Sequence, residues 1–137
     1  MQRHGLHRDI RILPGDYTEE GGATAGRHLF DEERLPTAIF AVNDRCAHGV
    51  RDALTRAHVD VPGHISVVGY DDSEIARLSF INLTTVRQDA TQMAELAVQA
   101  IIERLDHGRI EARKIVLDPA LVVRGTTGPP RPDDAAQ

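Results

Sequence analysis

Apolar residues along the chain alternate between short continuous runs and positions spaced three and four apart. The alternation extends from Ile10 to Thr127 and occurs in three successive units. Short runs are typical of buried strands, and spacings of three and four are typical of one face of a helix. Strands that alternate with helices indicate an α/β fold, with a parallel sheet flanked by helices.

The first unit predicts a strand, a turn and a weak helix. Residues 10–13, "IRIL", are the predicted strand, and "PGD" after them is the turn. Thr18 is the predicted N-cap of a helix from about Glu19 to Arg34. Each glycine in this helix costs about 1 kcal/mol relative to alanine, so packing against other elements has to stabilise it. The packed face would consist of Gly22, Gly26 and Phe30.

The second unit predicts a buried strand from Ala38 to Val42, followed by an amphipathic helix. Asn43 and Asp44 lie at the joint between these two elements. We expect Asp44 to cap the helix, because an aspartate side chain accepts hydrogen bonds from the first free N–H groups. The apolar face of the helix consists of Cys46, Val50, Ala53, Leu54 and Ala57, and an i,i+4 pair on its wet face consists of Asp52 and Arg56.

The third unit, "ISVVGYDDSEIARL", repeats this layout. Val67 and Val68 lie in the predicted strand, Asp71 and Asp72 follow at its end, and a short helix is predicted over residues 73–78. Further on, "INLTTVRQD" is predicted to be extended, and Asp89 with Gln92 gives a capping-box start for a long helix. Its apolar stripe consists of Met93, Leu96, Ala97, Ala100, Ile101 and Leu105, with Gly108 at the C-cap. "KIVL" and "LVVRG" are predicted as two short final strands.

Polar side chains follow both of the inner predicted strands. In an open parallel sheet, ligands bind beyond the carboxyl ends of the strands. Helix capping alone would account for one acid at each joint, Asp44 and Asp72, and would leave Asn43 and Asp71 for a ligand. Tyr17, on the turn after the first strand, could stack on a ring-shaped ligand or pack at the edge of the core.

Composition narrows the class of protein. The apolar fraction of 41% and the charged fraction of 27% are typical of a soluble globular domain, and no apolar run is long enough to span a membrane. The net charge of −5 argues against a chain that mainly grips nucleic acid. Cys46 is the only cysteine, so no internal disulfide is possible, and the Met1 end lacks a secretory signal. We therefore expect a cytoplasmic chain in which Cys46 is a small core residue.

An enzyme is the main alternative from another functional class. Asp44, Asp71 and Asp72 could hold Mg²⁺ for phosphoryl transfer, since such sites place carboxylates at strand ends. Those sites usually add a lysine close by, whereas Lys114 lies far along the chain. The histidines are scattered and give no set of metal ligands. We therefore expect no catalytic residue, no metal and no cofactor.

Four segments together resemble the C-terminal half of the LacI/GalR (lactose-repressor) family of transcription regulators. They are "LPTAIFAVNDRCAHGVRDAL", "VDVPGHISVVGYDDSEIARL", "LTTVRQDATQMAELAVQAIIERL" and "IVLDPALVVRGTT". The resemblance implies the C-terminal lobe of the type I periplasmic binding protein fold, with the first lobe absent. It also implies a small effector, a sugar or a purine-like molecule, held by Tyr17, Asn43, Asp71 and Gln88, while Asp72 caps the next helix.

The resemblance also implies how the chain is organised. Residues 1–127 would be the effector-binding and dimerisation portion of a repressor, and residues 128–137 a disordered tail. Within it, 1–88 would be the second lobe, 89–120 a segment that packs on the first lobe in relatives, and 121–127 a closing strand. Exposure of the apolar stripe in 89–106 would then invite self-association.

Partners follow from the same resemblance. Operator DNA would be bound only through a helix-turn-helix headpiece that is absent from this chain, and no membrane partner is expected. Family dimers form through faces that include the helix after "GDY" and the segment near "SFINLTT", so we expect a homodimer. A sugar-binding protein of a transport system would have the same fold and is the nearest alternative.

Overall fold

A computed structural model describes residues 5–31, 34–106 and 108–131, without the side chains of residues 6 and 7. The helices are α1 (Glu19–His28), α2 (Asp44–Arg56), α3 (Glu74–Arg77) and α4 (Ala90–Asp106), with 3-10 turns at Leu6–Asp9 and Leu29–Asp31. The strands are β1 (Ala38–Phe40), β2 (Ser66–Tyr70), β3 (Thr84–Arg87) and β4 (Ala120–Val122).

The four strands form one sheet in the order β1-β2-β3-β4. β1 and β2 are parallel, with Phe40 opposite Val68, and β2 and β3 are parallel, with Tyr70 opposite Val86. β4 adds to β3 in the antiparallel direction. The predicted α/β fold with a parallel sheet is therefore confirmed, with one antiparallel edge strand.

The hydrophobic core lies between the sheet and α2. Ile65, Val67 and Leu83 are fully buried on the sheet side, and Leu54 and Ala47 of α2 cover them. α1 packs on α2 rather than on the sheet, at a crossing lined by glycines. A Cβ at Gly49 would collide with the carbonyl oxygen of Glu19, so the two helices approach closely only because that position has no side chain.

The first predicted strand and the buried character of the second were wrong. Residues 10–13 have no strand partner, and Ile12 is 89% exposed. β1 ends at Phe40 and is an edge strand, so Phe40 and Val42 are exposed rather than buried. Burial of a strand depends on neighbours on both sides, which the apolar run of a single strand does not reveal.

The predicted start of α1 is confirmed, but its predicted end was too late. The Thr18 hydroxyl accepts a hydrogen bond from the Gly21 amide (3.0 Å), as an N-cap does. The α-helix ends at His28 and tightens into a 3-10 turn, in which Leu29 is buried and Phe30 is partly exposed. The packed face therefore ends at Leu29 instead of Phe30.

In the C-terminal part of the chain, one of the two predicted strands is missing, and the start of the long helix is as predicted. "KIVL" forms no strand, and the strand predicted over "LVVRG" is β4. Asp89 accepts a hydrogen bond from the Gln92 amide (2.9 Å) at the start of α4, and Gly108 has the positive φ of a C-cap glycine. No residue of α4 is buried, so the predicted exposure of its apolar stripe is confirmed.

Two further expectations concern membrane spans and the C-terminal tail. Among the described residues, no helix is both long enough and apolar enough to span a bilayer. Gly128 donates its amide hydrogen to the Ser66 hydroxyl (3.1 Å), so the first residue of the predicted tail contacts the sheet. Residues 132–137 lie outside the described residues, and the disordered tail stays a prediction there.

The glycine at the helix crossing gives a test of the packing. Gly49→Ala should destabilise the protein by about 2 kcal/mol, because the added methyl group overpacks the α1–α2 contact and outweighs the higher helix propensity of alanine. Urea unfolding measures the change. Gly15→Ala is the control, because a Cβ at Gly15 meets nothing within 4 Å. Equal stability of Gly49→Ala and the unmodified protein would contradict the close crossing.

Candidate functional site

The loops after β1 and β2 lie at the same edge of the sheet. Asn43 and Asp71 each come three residues after a pair of facing residues, Phe40 and Val68. The carboxylate of Asp44 links the two loops, because its Oδ2 accepts a hydrogen bond from the Ser73 amide (2.7 Å). The structure therefore places Asn43 and Asp71 at the same edge of the sheet, where β1 and β2 end. We call this edge the rim.

Asn43 joins this rim to the turn that carries Tyr17. Its Nδ2 donates to the Tyr17 carbonyl oxygen (3.0 Å), and its Oδ1 accepts from the Cys46 amide (2.7 Å). Asn43 is thus the N-cap of α2, and the prediction that Asp44 caps this helix was wrong. The Tyr17 side chain is 65% exposed and its backbone is left-handed, with φ 66°, so this side chain is not packed into the core.

Asp44 has a structural role beneath the rim. It is 1% exposed, and its Oδ1 accepts a hydrogen bond from the Thr85 hydroxyl (2.5 Å). Gly69 of β2 makes room for it, because a Cβ there would meet the same carboxylate oxygen. Both carboxylate oxygens therefore bind groups of the protein itself, one from β3 and one from the loop after β2.

Asp71 and Gln88 form the second pair of predicted site residues. Gln88 Nε2 donates to Asp71 Oδ1 (3.2 Å), and the Asp71 carboxylate is otherwise open to solvent. The Asp71 amide donates to the Val86 carbonyl oxygen (2.8 Å), which extends the β2–β3 ladder by one bond. All four residues predicted to hold a ligand thus lie at this edge as two bonded pairs, Tyr17 with Asn43 and Asp71 with Gln88.

Asp72 does not cap α3, contrary to prediction. Ser73 is the N-cap of that helix, and the Asp72 side chain is fully buried among three arginines. Its Oδ2 accepts from Arg87 Nε (2.7 Å) and Arg77 Nη2 (3.0 Å), and its Oδ1 accepts from Arg124 Nη2 (2.5 Å). The sequence held no local signal for this cluster, because only Arg77 is close to Asp72 along the chain.

The arginines control the charge state of Asp72. Burial raises the pKa of the carboxyl group, but the hydrogen bonds from Arg124, Arg87 and Arg77 outweigh it and lower that pKa to about 2. Asp72 is therefore ionised throughout the physiological range. Its negative charge is paired with the arginines of the cluster, since both carboxylate oxygens accept hydrogen bonds from them.

The magnesium alternative finds little support in this geometry. Of its three proposed ligands, Asp44 and Asp72 are buried and bonded to protein groups, and only Asp71 faces solvent. Within residues 5–31, 34–106 and 108–131, no group of three or more His, Cys, Asp or Glu side chains is placed to hold a metal ion.

The rim is open rather than enclosed. Next to Gln88 there is one small cleft of about 60 Å³, lined by Tyr70, Gln88, Asp89, Met93, Leu117, Asp118 and Pro119. Sites that enclose a small molecule usually measure about 300–1,000 Å³. The described residues therefore enclose no cavity of that size at this edge of the sheet.

Comparison with known proteins identifies the family. A profile for the periplasmic binding protein-like domain matches residues 1–127. The chain belongs to this domain family. Within the family, the ribose operon repressor of Escherichia coli (strain K12) is 37% identical over 127 residues, which are 92% of this chain and 38% of that repressor.

Two further relatives agree with this family assignment. The HTH-type transcriptional repressor PurR of Haemophilus influenzae (strain ATCC 51907) is 34% identical over 82% of this chain and 34% of its own length. The crystal structure of a LacI transcriptional regulator from a Rhodococcus species superposes with a TM-score of 0.89 at 46% identity, over 95% of this chain and 48% of that one. The predicted resemblance to the LacI/GalR family is confirmed, and the chain spans less than half of each relative.

The buried Asp72 predicts a specific acid sensitivity. Its pKa is about 2 in the folded protein against 3.8 ordinarily, so it stabilises the fold above about pH 4, and this stabilisation disappears as the pH falls towards 2. The loss is about 2 kcal/mol by linkage. Urea unfolding between pH 2 and 7 measures it.

The matched variants for this test are Asp72→Asn and Asp52→Asn. Asp72→Asn should be less stable at pH 7, since it removes the charge partner of three arginines, of which Arg124 is mostly buried. It should also lack this part of the acid-dependent loss. Asp52→Asn removes an exposed ion pair with Arg56, and this variant should keep the acid-dependent loss of stability that Asp72 causes. An acid-dependent loss in Asp72→Asn as large as in the unmodified protein would contradict the assignment.

Proposed function

We propose that this chain is the effector-binding and dimerisation portion of a LacI-type transcriptional repressor. It binds a small sugar or purine-like molecule, and a helix-turn-helix outside these residues binds operator DNA. The single observation that carries the proposal is the shared rim, on which Asn43 and Asp71 come together with Gln88 and Tyr17. The names of the relatives, a ribose operon repressor and the repressor PurR, support the class of function.

Each rim residue has a distinct role in this proposal. The free Asp71 oxygen accepts hydrogen bonds from neighbouring hydroxyl groups of a sugar, and bonds to an ionised acceptor are stronger than neutral ones. Gln88 orients that carboxylate through its hydrogen bond and offers its own oxygen to the ligand. Asn43 retains one hydrogen on Nδ2, and the exposed Tyr17 ring stacks on the ring of the ligand.

The same proposal assigns the parts of the chain. Residues 1–88 form the second lobe, 89–120 pack on a first lobe in the longer protein, and 121–127 close the sheet. The lack of any buried residue in α4 supports a partner surface for 89–120. Ligand binding then shifts the equilibrium between open and closed lobes, and with it the spacing of two headpieces on a palindromic operator.

The proposal describes a regulator rather than an enzyme or an exported binding protein. Binding needs no reacting group. Two of the three carboxylates that the magnesium alternative requires, those of Asp44 and Asp72, are already bound by protein groups, and only Asp71 is left. A transport protein would share the fold, but the named relatives are repressors. We therefore propose a cytoplasmic, non-enzymatic regulator.

Effector binding by this chain is testable by NMR titration with D-ribose and with adenine. One of the two should shift the amide resonances of residues 71, 88 and 43, with roughly millimolar affinity because only one wall of the site is present. Asp71→Asn should weaken binding about tenfold, while Asp52→Asn should leave the affinity unchanged. An unchanged affinity in Asp71→Asn would remove Asp71 from the site, and micromolar affinity of the unmodified protein would contradict a site with one wall.

Dimerisation is testable by sedimentation. Phe80 is 73% exposed in the segment "SFINLTT", and α1 follows "GDY" on the other proposed face. Phe80→Glu should convert the dimer to a monomer, because it places a charge in an apolar contact. Ile102→Glu, at an apolar position of α4 that is 49% exposed, should leave the dimer intact. A dimeric Phe80→Glu together with a monomeric Ile102→Glu would show instead that the chain self-associates through α4.

A further inference from the structure

The loop after β2 contains two successive residues with unusual backbone conformations. Asp71 has φ 115° and Asp72 has φ 52°. Positive φ is uncommon for residues other than glycine, and each such residue costs on the order of 1–3 kcal/mol unless its surroundings hold it in place. A chain that relaxed here would turn the Asp71 carboxylate away from the rim.

The backbone amides of this loop are fixed one after another. The Asp71 amide donates to the Val86 carbonyl oxygen, the Asp72 amide to the Thr85 hydroxyl (3.4 Å), and the Ser73 amide to Asp44 Oδ2. Two of these three acceptors belong to β3. The backbone bonds hold the loop against β3, but they do not fix the carboxylate of Asp71.

The side chain of Asp72 supplies the stronger restraint. It is the anchor to which arginines from α3, β3 and the segment after β4 converge, and it is fully buried. Arg87 directly precedes Gln88, and Asp72 directly follows Asp71. The Arg87–Asp72 ion pair therefore joins the same two chain segments as the Asp71–Gln88 hydrogen bond, through residues that are adjacent along the chain.

We propose that Asp72, through Arg87, Arg77 and Arg124, is a positioning residue that holds Asp71 and Gln88 in the geometry that receives the effector. The inference rests on the proposed function, because it assigns Asp71 and Gln88 to the effector site. Asp72 itself does not touch the ligand. It fixes the distance between the ends of β2 and β3 and keeps Asp71 in its left-handed conformation.

The main variant is Arg87→Gln, because Asp72 keeps two arginine partners and the fold should persist. Arg56→Gln is the matched control, since it removes an exposed arginine–aspartate pair on α2 far from the rim. Asp72→Asn is the stronger variant, to be used where its far-ultraviolet circular dichroism shows that it is folded.

The first readout needs no ligand. The coupling between the amide and α protons of Asp71 should be small at φ 115° and should increase in Arg87→Gln as the residue moves towards extended conformations. Arg56→Gln should leave the coupling unchanged. An unaltered coupling in folded Arg87→Gln would overturn the proposal, whether or not any effector binds.

The second readout is a double-mutant cycle on effector affinity. Arg87→Gln should weaken binding about fivefold, and it should cause no further loss in the Asp71→Asn background, because it acts through Asp71. Equal losses in both backgrounds would mean a general structural effect and would overturn the positioning role. If Asp71→Asn alone leaves binding unchanged, the proposed function fails, and the coupling measurement still decides the positioning role of Asp72.

Discussion

The structure at the carboxyl edge depends on one buried carboxylate with three arginine partners. Asp72 joins residues that lie 5, 15 and 52 positions away along the chain, in α3, β3 and the segment after β4. Removing a carboxylate from water is expensive, and an ion pair only repays that cost when its hydrogen bonds are well placed. Here the arginine hydrogen bonds outweigh that cost, because they lower the pKa of Asp72, and they also fix three chain segments around the end of β2.

The packing of α2 is the second feature that fixes the positions of the loops at this edge. It lies between the sheet and α1, and it can approach both because small residues face each neighbour, as Gly49 does towards α1. Its first turn carries Asn43 and Asp44, whose side chains bind the Tyr17 carbonyl oxygen on one side and the Ser73 amide on the other. Packing of α2 on the core thus determines where both loops of the rim lie.

The features predicted correctly from the sequence are local or repeated ones. The order of strands and helices, the N-cap at Thr18 and the start of α4 follow from patterns within a few residues. At the α2 joint, adjacent Asn43 and Asp44 are almost equally good caps, so composition could not choose between them. The arginine cluster depends on contacts across the sheet, and the exposure of β1 depends on a missing neighbour, so neither could be read from a local window.

The loops after β1 and β2 use most of their polar side-chain atoms in bonds within the protein, so the rim offers few free hydrogen-bonding groups. Asn43 uses its oxygen and one hydrogen on the backbone, and Asp44 uses both oxygens. The side chains of these two residues therefore leave one amide hydrogen for a ligand, and the neighbouring turn adds the Tyr17 side chain. The second loop keeps Asp71 free because Asp72 takes over the structural role that would otherwise occupy it. A pair of adjacent acids can therefore divide its work, the buried member fixing the backbone and the exposed one facing a ligand. Both residues have positive φ, so the chain leaves the extended conformation of β2 at the point where this division occurs.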